Sequence, residues 1–446
     1  MRREDAAVHA ASQVEVALWL YALLVVSVTA ASWAFYWFSG IFMTRPLFAK
    51  YDQFHDLTNY IDKTAHLYRG AAALGAGLPI FTYPAPAAFV YKLLLYPFPG
   101  HPVRPFLTFL TICIVGFAFV AWRACRPGRA VRLSAAAAIV VTAVLGYPMW
   151  FVADRGNIEA VVWALAAAGL CLLLRGRTRS AAVLIGLSAA IKPFTILFFL
   201  LLLRHRRYKE AALGVATAGL MLLAALTVLG PNPWRAYQDL KPGISLYVAR
   251  YVTNLTPVEE MRFNHSLLDG MKSAAVTVEM GGIYPVNALV EVTRLRAEPG
   301  GWHGVRPLVR VYPFVVFAGL GLLIAVFYRM PMLNQLTALA VAVTLFPPVS
   351  GDYTLLFLYL PFATLLVFLT REVAAGKVTI SYASMLAFAC IYGLLFSPLT
   401  FLMLYAGDAK LLLLLALLVV AARSPMRSEY FDDLTVHDAM KASCQL

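Results

Sequence analysis

Carboxylates, histidines and tyrosines crowd into one stretch of this chain, YDQFHDLTNYIDKTAHLYRG at residues 51–70. It directly follows an apolar run, VALWLYALLVVSVTAASWAFYWFSG at residues 16–40, which is long enough to cross a bilayer. A carboxylate at the membrane edge can take the proton of a hydroxyl on a membrane-borne substrate, the work of a general base. Asp56 is the leading candidate, with His55 beside it and Tyr60 four residues on, and Tyr83 follows in FTYPAP at residues 81–86. The same stretch also suits an amphipathic helix on the membrane surface. Phe54, Leu57, Ile61 and Tyr68 fall on one face, and Asp52, Asp56, Asn59, Lys63 and His66 fall near the other. A merely solvated helix face would read the same way.

Three more polar groups interrupt apolar surroundings. Asp154, Arg155, Asn157 and Glu159 sit in MWFVADRGNIEA at a turn between two apolar runs, where ionisable side chains often only snorkel to water. Lys192 in AAIKPFTI lies deep in an apolar segment. A charge there is costly and survives with a partner or water, so Lys192 is either an anion ligand facing a cavity or the partner of a carboxylate such as Glu159. Ser350, Asp352 and Tyr353 lie in FPPVSGDYTLL, where Pro347 and Pro348 end a helix. A long polar segment, residues 230–308, adds Asn264, His265 and Ser266 in FNHSLLDG. Its aromatic residues Trp234, Tyr237, Tyr247, Tyr251 and Trp302 suit interfacial anchoring, and sugar stacking is the second use of such rings. No metal-type spacing of His, Cys or carboxylates stands out, so no metal and no cofactor are expected. The five cysteines form no disulfide framework.

The elements that must position these groups are membrane helices. The chain has 446 residues, 61% of them hydrophobic and 13% charged, with a mean hydropathy of +0.74. That is too much apolar surface for a soluble protein, and the runs are continuous rather than alternating, which excludes a β-barrel. The net charge of +14 would suit nucleic acid. The arginines instead cluster in short loops between apolar runs, the pattern that reports cytoplasmic loops, so no nucleic-acid partner is expected. Arg2 and Arg3 before the first run could open a signal peptide, but that run is too long and aromatic, and an uncleaved first span is preferred.

Spans are expected at residues 16–40, 104–123, 133–152, 158–174, 208–229, 310–328, 332–347, 353–370, 378–404 and 409–422. Residues 180–203 are flanked by arginines at both ends and broken by Lys192-Pro193, which predicts a re-entrant hairpin; a kinked full span is the alternative. Residues 84–97 are too short to cross and predict a helix in the outer leaflet. The whole chain reads as one integral membrane domain, all-α, with about 10–12 segments. Residues 41–103 and 230–308 form its two extracytoplasmic regions, and both termini are cytoplasmic.

Taken in order, these segments resemble the GT-C glycosyltransferases, and most closely glycosyltransferase family eighty-seven, which includes polyprenol-phosphate-mannose-dependent mannosyltransferases. The resemblance is carried by Asp56 and Tyr60 in HDLTNY, by Arg69-Gly70 and FTYPAP with Ala85 set before Pro86, and by RGNIEA. It continues through LIGLSAAIKPFTILFFLLLL and through NHSL, where His265 stands for the family's Gln. FPPVSGDYTLL keeps a Pro and Ser350 of the family's late turn but not its Trp or His. The resemblance implies a GT-C-like bundle in a bacterial inner or plasma membrane, with its active site on the extracytoplasmic side. It implies an inverting transfer of a sugar, mannose first, from a polyprenyl-phosphate donor to a lipid or glycan acceptor in cell-envelope synthesis. Asp56 would be the base. Lys192, with Arg155 second, would face the donor phosphate. His55, Tyr60, Tyr83, Asn157, Asn264, His265, Asp352 and Tyr353 would line the donor and acceptor sites. The expected partners are membrane lipid, the lipid-linked donor and the acceptor. Two rivals remain: a polysaccharide polymerase or O-antigen ligase working through Arg250, Arg262 and His265, and a transporter or flippase, which would usually break helices in both halves.

Overall fold

The computed structural model describes residues 3–41, 45–47, 53–58, 83–95, 103–279, 285–297, 302–428 and 431. Those residues are helical or irregular, with no strand among them. In chain order the α-helices are α1 (Arg3–Ser39), α2 (Ala85–Leu95), α3 (Val103–Cys125), α4 (Arg132–Leu145), α5 (Tyr147–Arg155) and α6 (Glu159–Leu173). There follow α7 (Thr178–Ile191), α8 (Phe199–Arg204), α9 (Tyr208–Leu229), α10 (Pro233–Tyr247), α11 (Val258–Met261) and α12 (Leu267–Glu279). The last are α13 (Pro285–Arg296), α14 (Val305–Phe327), α15 (Met332–Leu345), α16 (Tyr359–Phe368), α17 (Tyr382–Leu395) and α18 (Ala406–Arg423).

Seven helical runs among the described residues are long and apolar enough to cross a membrane, and five shorter apolar helices accompany them. The protein is a polytopic all-α membrane protein. The spans expected at 158–174, 332–347 and 378–404 are shorter than the sequence implied: α6 has 15 residues, α15 has 14 and α17 has 14. At 1.5 Å per residue these reach about 21–23 Å, less than the roughly 30 Å hydrocarbon core. Prolines explain three of the ends, since Pro331 precedes α15, Pro347 and Pro348 follow it, and Pro398 follows α17. A short helix is tolerated at membrane depth when protein rather than lipid covers its ends. Every residue of α15 is buried. The expected span 133–152 is divided at Gly146 into α4 and α5. The helix expected over 84–97 is α2. Of the surface helix expected over 51–70, only 53–58 is described, and 55–58 is helical.

The segment after α6 turns back on itself. Helices α6 and α7 run antiparallel: Gly169 lies against Ile185, and the Ser188 hydroxyl donates to the Val162 carbonyl at 2.9 Å. Helices α7 and α9 run parallel, because Thr178 faces Glu210, Ala182 faces Gly214 and Gly186 faces Thr217. The chain between them must therefore return from the end of α7 to its start. Lys192 makes that turn in extended geometry (φ −131°, ψ 106°). A 3-10 stretch, Pro193–Phe198, and α8 then run back, and the Phe199 ring reaches Gly214. Arg175, Arg177 and Arg179 thus gather at the same end of the bundle as Arg204, Arg206 and Arg207, while Lys192 points to the opposite end.

Candidate active site

The turn between α5 and α6 is built by Gly156, the left-handed residue that ends α5 (φ 65°, ψ 36°). The conformation favours glycine, and the space demands it: a Cβ there would stand 2.6 Å from the Leu57 Cβ. Fully buried Leu57 is pressed onto this turn. Beside it, the Phe54 amide donates to the Asp154 carbonyl at 2.6 Å, with Phe54 itself at φ 55°. A bulky residue in that conformation is uncommon and is held by its surroundings. The short helix 55–58 is thereby fixed against the α5–α6 turn.

Asn157 is the hub. Its Oδ1 accepts from the Glu159 amide at 2.9 Å and so helps to start α6. Its Nδ2 donates to Asp56 Oδ2 at 2.7 Å and lies 3.3 Å from the Tyr83 hydroxyl. Asn157 is buried, whereas Asp56 is only partly so. Glu159, at the start of α6, forms an ion pair with Lys192 at the end of α7. The Glu159 side chain is fully enclosed, and the Lys192 side chain keeps 22% of its surface exposed. The Lys192 ammonium also sits 4.7 Å from the Tyr353 ring centre and 5.7 Å from that of Tyr83, within cation–π range. Tyr353 stacks on Phe151 at 6.2 Å, and Phe151 meets Phe263 at 4.8 Å. The Arg155 guanidinium lies 5.6 Å from both phenylalanine rings.

One end of the bundle therefore assembles Asp56, Tyr83, Asn157, Lys192 and Tyr353, with Arg155 against the adjoining aromatic wall. His55 precedes Asp56 and is exposed. Tyr60 lies outside the described residues. The pairing of Lys192 with Glu159 is one of the two roles its sequence position allowed. Among the described residues, no three His, Cys, Asp or Glu side chains converge as a metal ion would require.

Asn264, His265 and Asp352 form a second cluster, closed to solvent. The Asn264 side-chain carbonyl accepts from the Ser350 amide at 3.0 Å, the His265 amide donates to the Ser350 carbonyl at 3.0 Å, and the Ser266 hydroxyl donates to the Pro348 carbonyl at 3.0 Å. These bonds clamp the 264–266 segment to the turn before the 3-10 stretch Asp352–Leu358. Asp352 stands between Lys410 Nζ at 2.5 Å and His265 Nδ1 at 3.4 Å. The Thr354 and Ser350 hydroxyls lie 3.1 and 3.3 Å from His265 Nε2. Burial holds the His265 imidazole below its ordinary pKa, against the raising pull of Asp352. Lys410, fully buried on α18 and 4.7 Å from the Tyr147 ring centre, was missed by the sequence reading. Its signal was available: AGDAKLLLLL places a lysine at the head of an apolar helix, the pattern that singled out Lys192.

A model of glycosyltransferase family 87 matches residues 81–351. That is more than half of the chain. The protein belongs to glycosyltransferase family 87. No curated protein and no solved structure shows significant similarity to it. The matched part of this family 87 glycosyltransferase contains Tyr83, Arg155, Asn157, Lys192, Asn264 and His265. Asp56 precedes it, and Asp352, Tyr353 and Lys410 follow it, so the fold brings residues outside the matched part onto those inside.

Proposed function

We propose that the enzyme transfers mannose from a polyprenyl-phosphate donor to a hydroxyl of a lipid or glycan acceptor, with inversion, at the extracytoplasmic membrane face. The observation that carries this reading is the Asn157 amide holding Asp56 Oδ2 at 2.7 Å in the same cluster as the partly exposed Lys192. Asp56 takes the acceptor proton as the hydroxyl oxygen attacks the anomeric carbon. The bond from that carbon to the phosphate oxygen breaks, and polyprenyl monophosphate leaves with the electron pair. Its developing charge needs a cation more than an acid, and Lys192 supplies one. Glu159, the present partner of Lys192, keeps the ammonium at the end of α7 and would share it with the phosphate. Direct attack from the opposite face gives an α-linked product from a β-linked donor.

The arrangement of charge supports the sidedness. The arginines at the α6–α7 turn and after α8 lie at the end of the bundle opposite Asp56, and basic loops mark the cytoplasmic face. On this reading residues 180–203 form a re-entrant hairpin with both ends in the cytoplasm. His265, the histidine that the ligase-type reading would use, is enclosed at 1% exposed and not open to a substrate.

The test is incubation of the purified protein with labelled polyprenyl-phosphate mannose and a membrane lipid extract. The expected result is a labelled product of inverted anomeric configuration, with none formed by the Asp56→Asn variant. Equal use of a nucleotide sugar in place of the polyprenyl-phosphate donor would overturn the reading.

A further inference from the structure

Away from the site, a groove of about 290 Å³ opens between α3, α6 and α16. That is near the low end of the roughly 300–1,000 Å³ common for ligand pockets. Small residues make its walls, among them Gly116, Ala164, Ala167 and Ala168, where larger side chains would fill the space. Toward the site the lining finishes at Phe117 and Trp163, and both rings pack on buried Tyr359, at 5.3 and 6.1 Å. At the other end stands Arg175. Its side chain is exposed, and no carboxylate pairs with it among the described residues.

We propose that this groove holds one acyl chain of an anionic phospholipid, drawn from the leaflet on the arginine side, with the lipid phosphate against Arg175. Three observations carry the choice of occupant. The groove lies between membrane helices and is apolar along its length, so hydrocarbon fills it at no polar cost. Trp163 stands ten residues before Leu173, the end of α6, about 15 Å of helix, and Arg175 follows in the turn, which matches the roughly 15 Å depth of one leaflet rather than a whole bilayer. Among the described residues Arg175 is the one charged residue of the groove's lining, at the end where arginines gather, which fits a phosphodiester in an anionic leaflet. The aromatic wall at Phe117, Trp163 and Tyr359 stands between the groove and Lys192, so a donor chain whose phosphate sits at Lys192 would have to pass that wall. The site is thus separate from the transfer site and does not depend on the donor's identity.

The test adds phosphatidylglycerol or phosphatidylcholine, with identical acyl chains, to the detergent-purified full chain and follows the thermal midpoint. Phosphatidylglycerol should raise the midpoint more than phosphatidylcholine. Arg175→Gln should remove at least half of that difference, while Arg179→Gln, a neighbouring exposed arginine outside the groove, should leave it intact. Ala167→Trp, which fills the groove, should abolish the response to both lipids, and Ala167→Leu serves as the smaller filling if the first variant does not fold. An equal loss in the two arginine variants would reduce the effect to general surface charge and overturn the site. A response to phosphatidylglycerol that survives filling the groove would also overturn it. So would a short-chain polyprenyl phosphate that displaces the bound phospholipid from the wild type but not from the Arg175→Gln variant, since the occupant would then be the donor chain.

Discussion

Two polar clusters share this end of the bundle, and both are built from a carboxylate, a lysine and tyrosine rings. In the first, Asp56 is held through one oxygen by Asn157, and Lys192 keeps part of its surface exposed beside Glu159. In the second, Asp352 is enclosed between Lys410 and His265, and its side chain has no exposed surface. The first leaves room for something to arrive; the second is complete within the protein. Buried ion pairs add little net stability but are costly to break, whereas a partly exposed carboxylate can exchange protons with a substrate. The two clusters meet at one peptide unit: Asp352 belongs to the closed cluster and its neighbour Tyr353 covers Lys192 in the open one. The closed cluster therefore reads as the foundation that fixes Tyr353, and the open cluster is where the proposed function puts the transfer.

The largest difference should come from the matching carboxylate substitutions. Asp56→Asn keeps an oxygen for the Asn157 amide, so the fold should stand, while turnover falls by about 10²–10⁴-fold, the usual worth of a general base. Turnover assays paired with thermal melts of the same preparation check this. Near wild-type turnover in Asp56→Asn would end its assignment as the base. In the closed cluster the loss should appear as stability instead. Removing one partner of a buried ion pair typically costs about 3–5 kcal/mol, so Lys410→Met should unfold well below the wild type in detergent. The double variant Lys410→Met with Asp352→Asn should be less damaged than Lys410→Met alone, because no uncompensated charge stays buried. If instead Lys410→Met melts like the wild type and only turnover is lost, the division between foundation and active cluster fails.

What could be read from the chain differs between the clusters for a physical reason. Asn157 and Lys192 interrupt an apolar context, which hydropathy alone exposes, and Asp56 stands out because it lies in a polar stretch directly after a membrane-length apolar run. The break at Lys192-Pro193 is likewise written in the sequence, because proline cannot donate the helical hydrogen bond and its ring disfavours a helical conformation at the residue before it. The docking of Leu57 on Gly156 is not, since nothing in either residue says that segments 99 positions apart will touch. Nor is the partnership of Asp352 with Lys410, which is set by how α18 packs in three dimensions. The lengths of α6, α15 and α17 were overestimated because apolar composition measures affinity for a nonpolar surrounding, and a buried helix end satisfies it as well as lipid does. The composition did carry the helical membrane architecture, because no other arrangement satisfies so many backbone groups within such apolar segments.

Lys192 sharpens the comparison because it belongs to an ion pair and also keeps exposed surface. Lys192→Ala should lower stability, since Glu159 would be left charged and enclosed, and should lower turnover by about 10²-fold, the effect of removing one donor to a developing oxyanion. The double variant Lys192→Ala with Glu159→Gln separates these effects. It should regain most of the thermal stability while turnover and donor binding stay low. If turnover returns together with stability, Lys192 serves only to neutralise Glu159 and the phosphate has another ligand.

The smallest expected effect is a pH dependence confined to the closed cluster. His265 is held below its ordinary pKa by burial, with Lys410 adding to the lowering and Asp352 opposing it. The unfolded chain takes up a proton at this position as the pH falls through about 6.5, while burial resists that uptake in the folded chain. The unfolded state then binds more protons, so stability contributed by His265 is present above that pH and is lost as the pH falls below it. The loss cannot exceed about 1.4 kcal/mol per pH unit, the ceiling for a single titrating group. The measurement is the slope of the thermal midpoint between neutral and mildly acidic buffer, compared for the wild type and His265→Gln. The glutamine variant should have a lower midpoint but a shallower slope, because it cannot take up the proton. An unchanged slope would mean that folded and unfolded chains protonate His265 alike, so that water or a proton path reaches the cluster and it is not closed in the sense that distinguishes it from the cluster around Asp56.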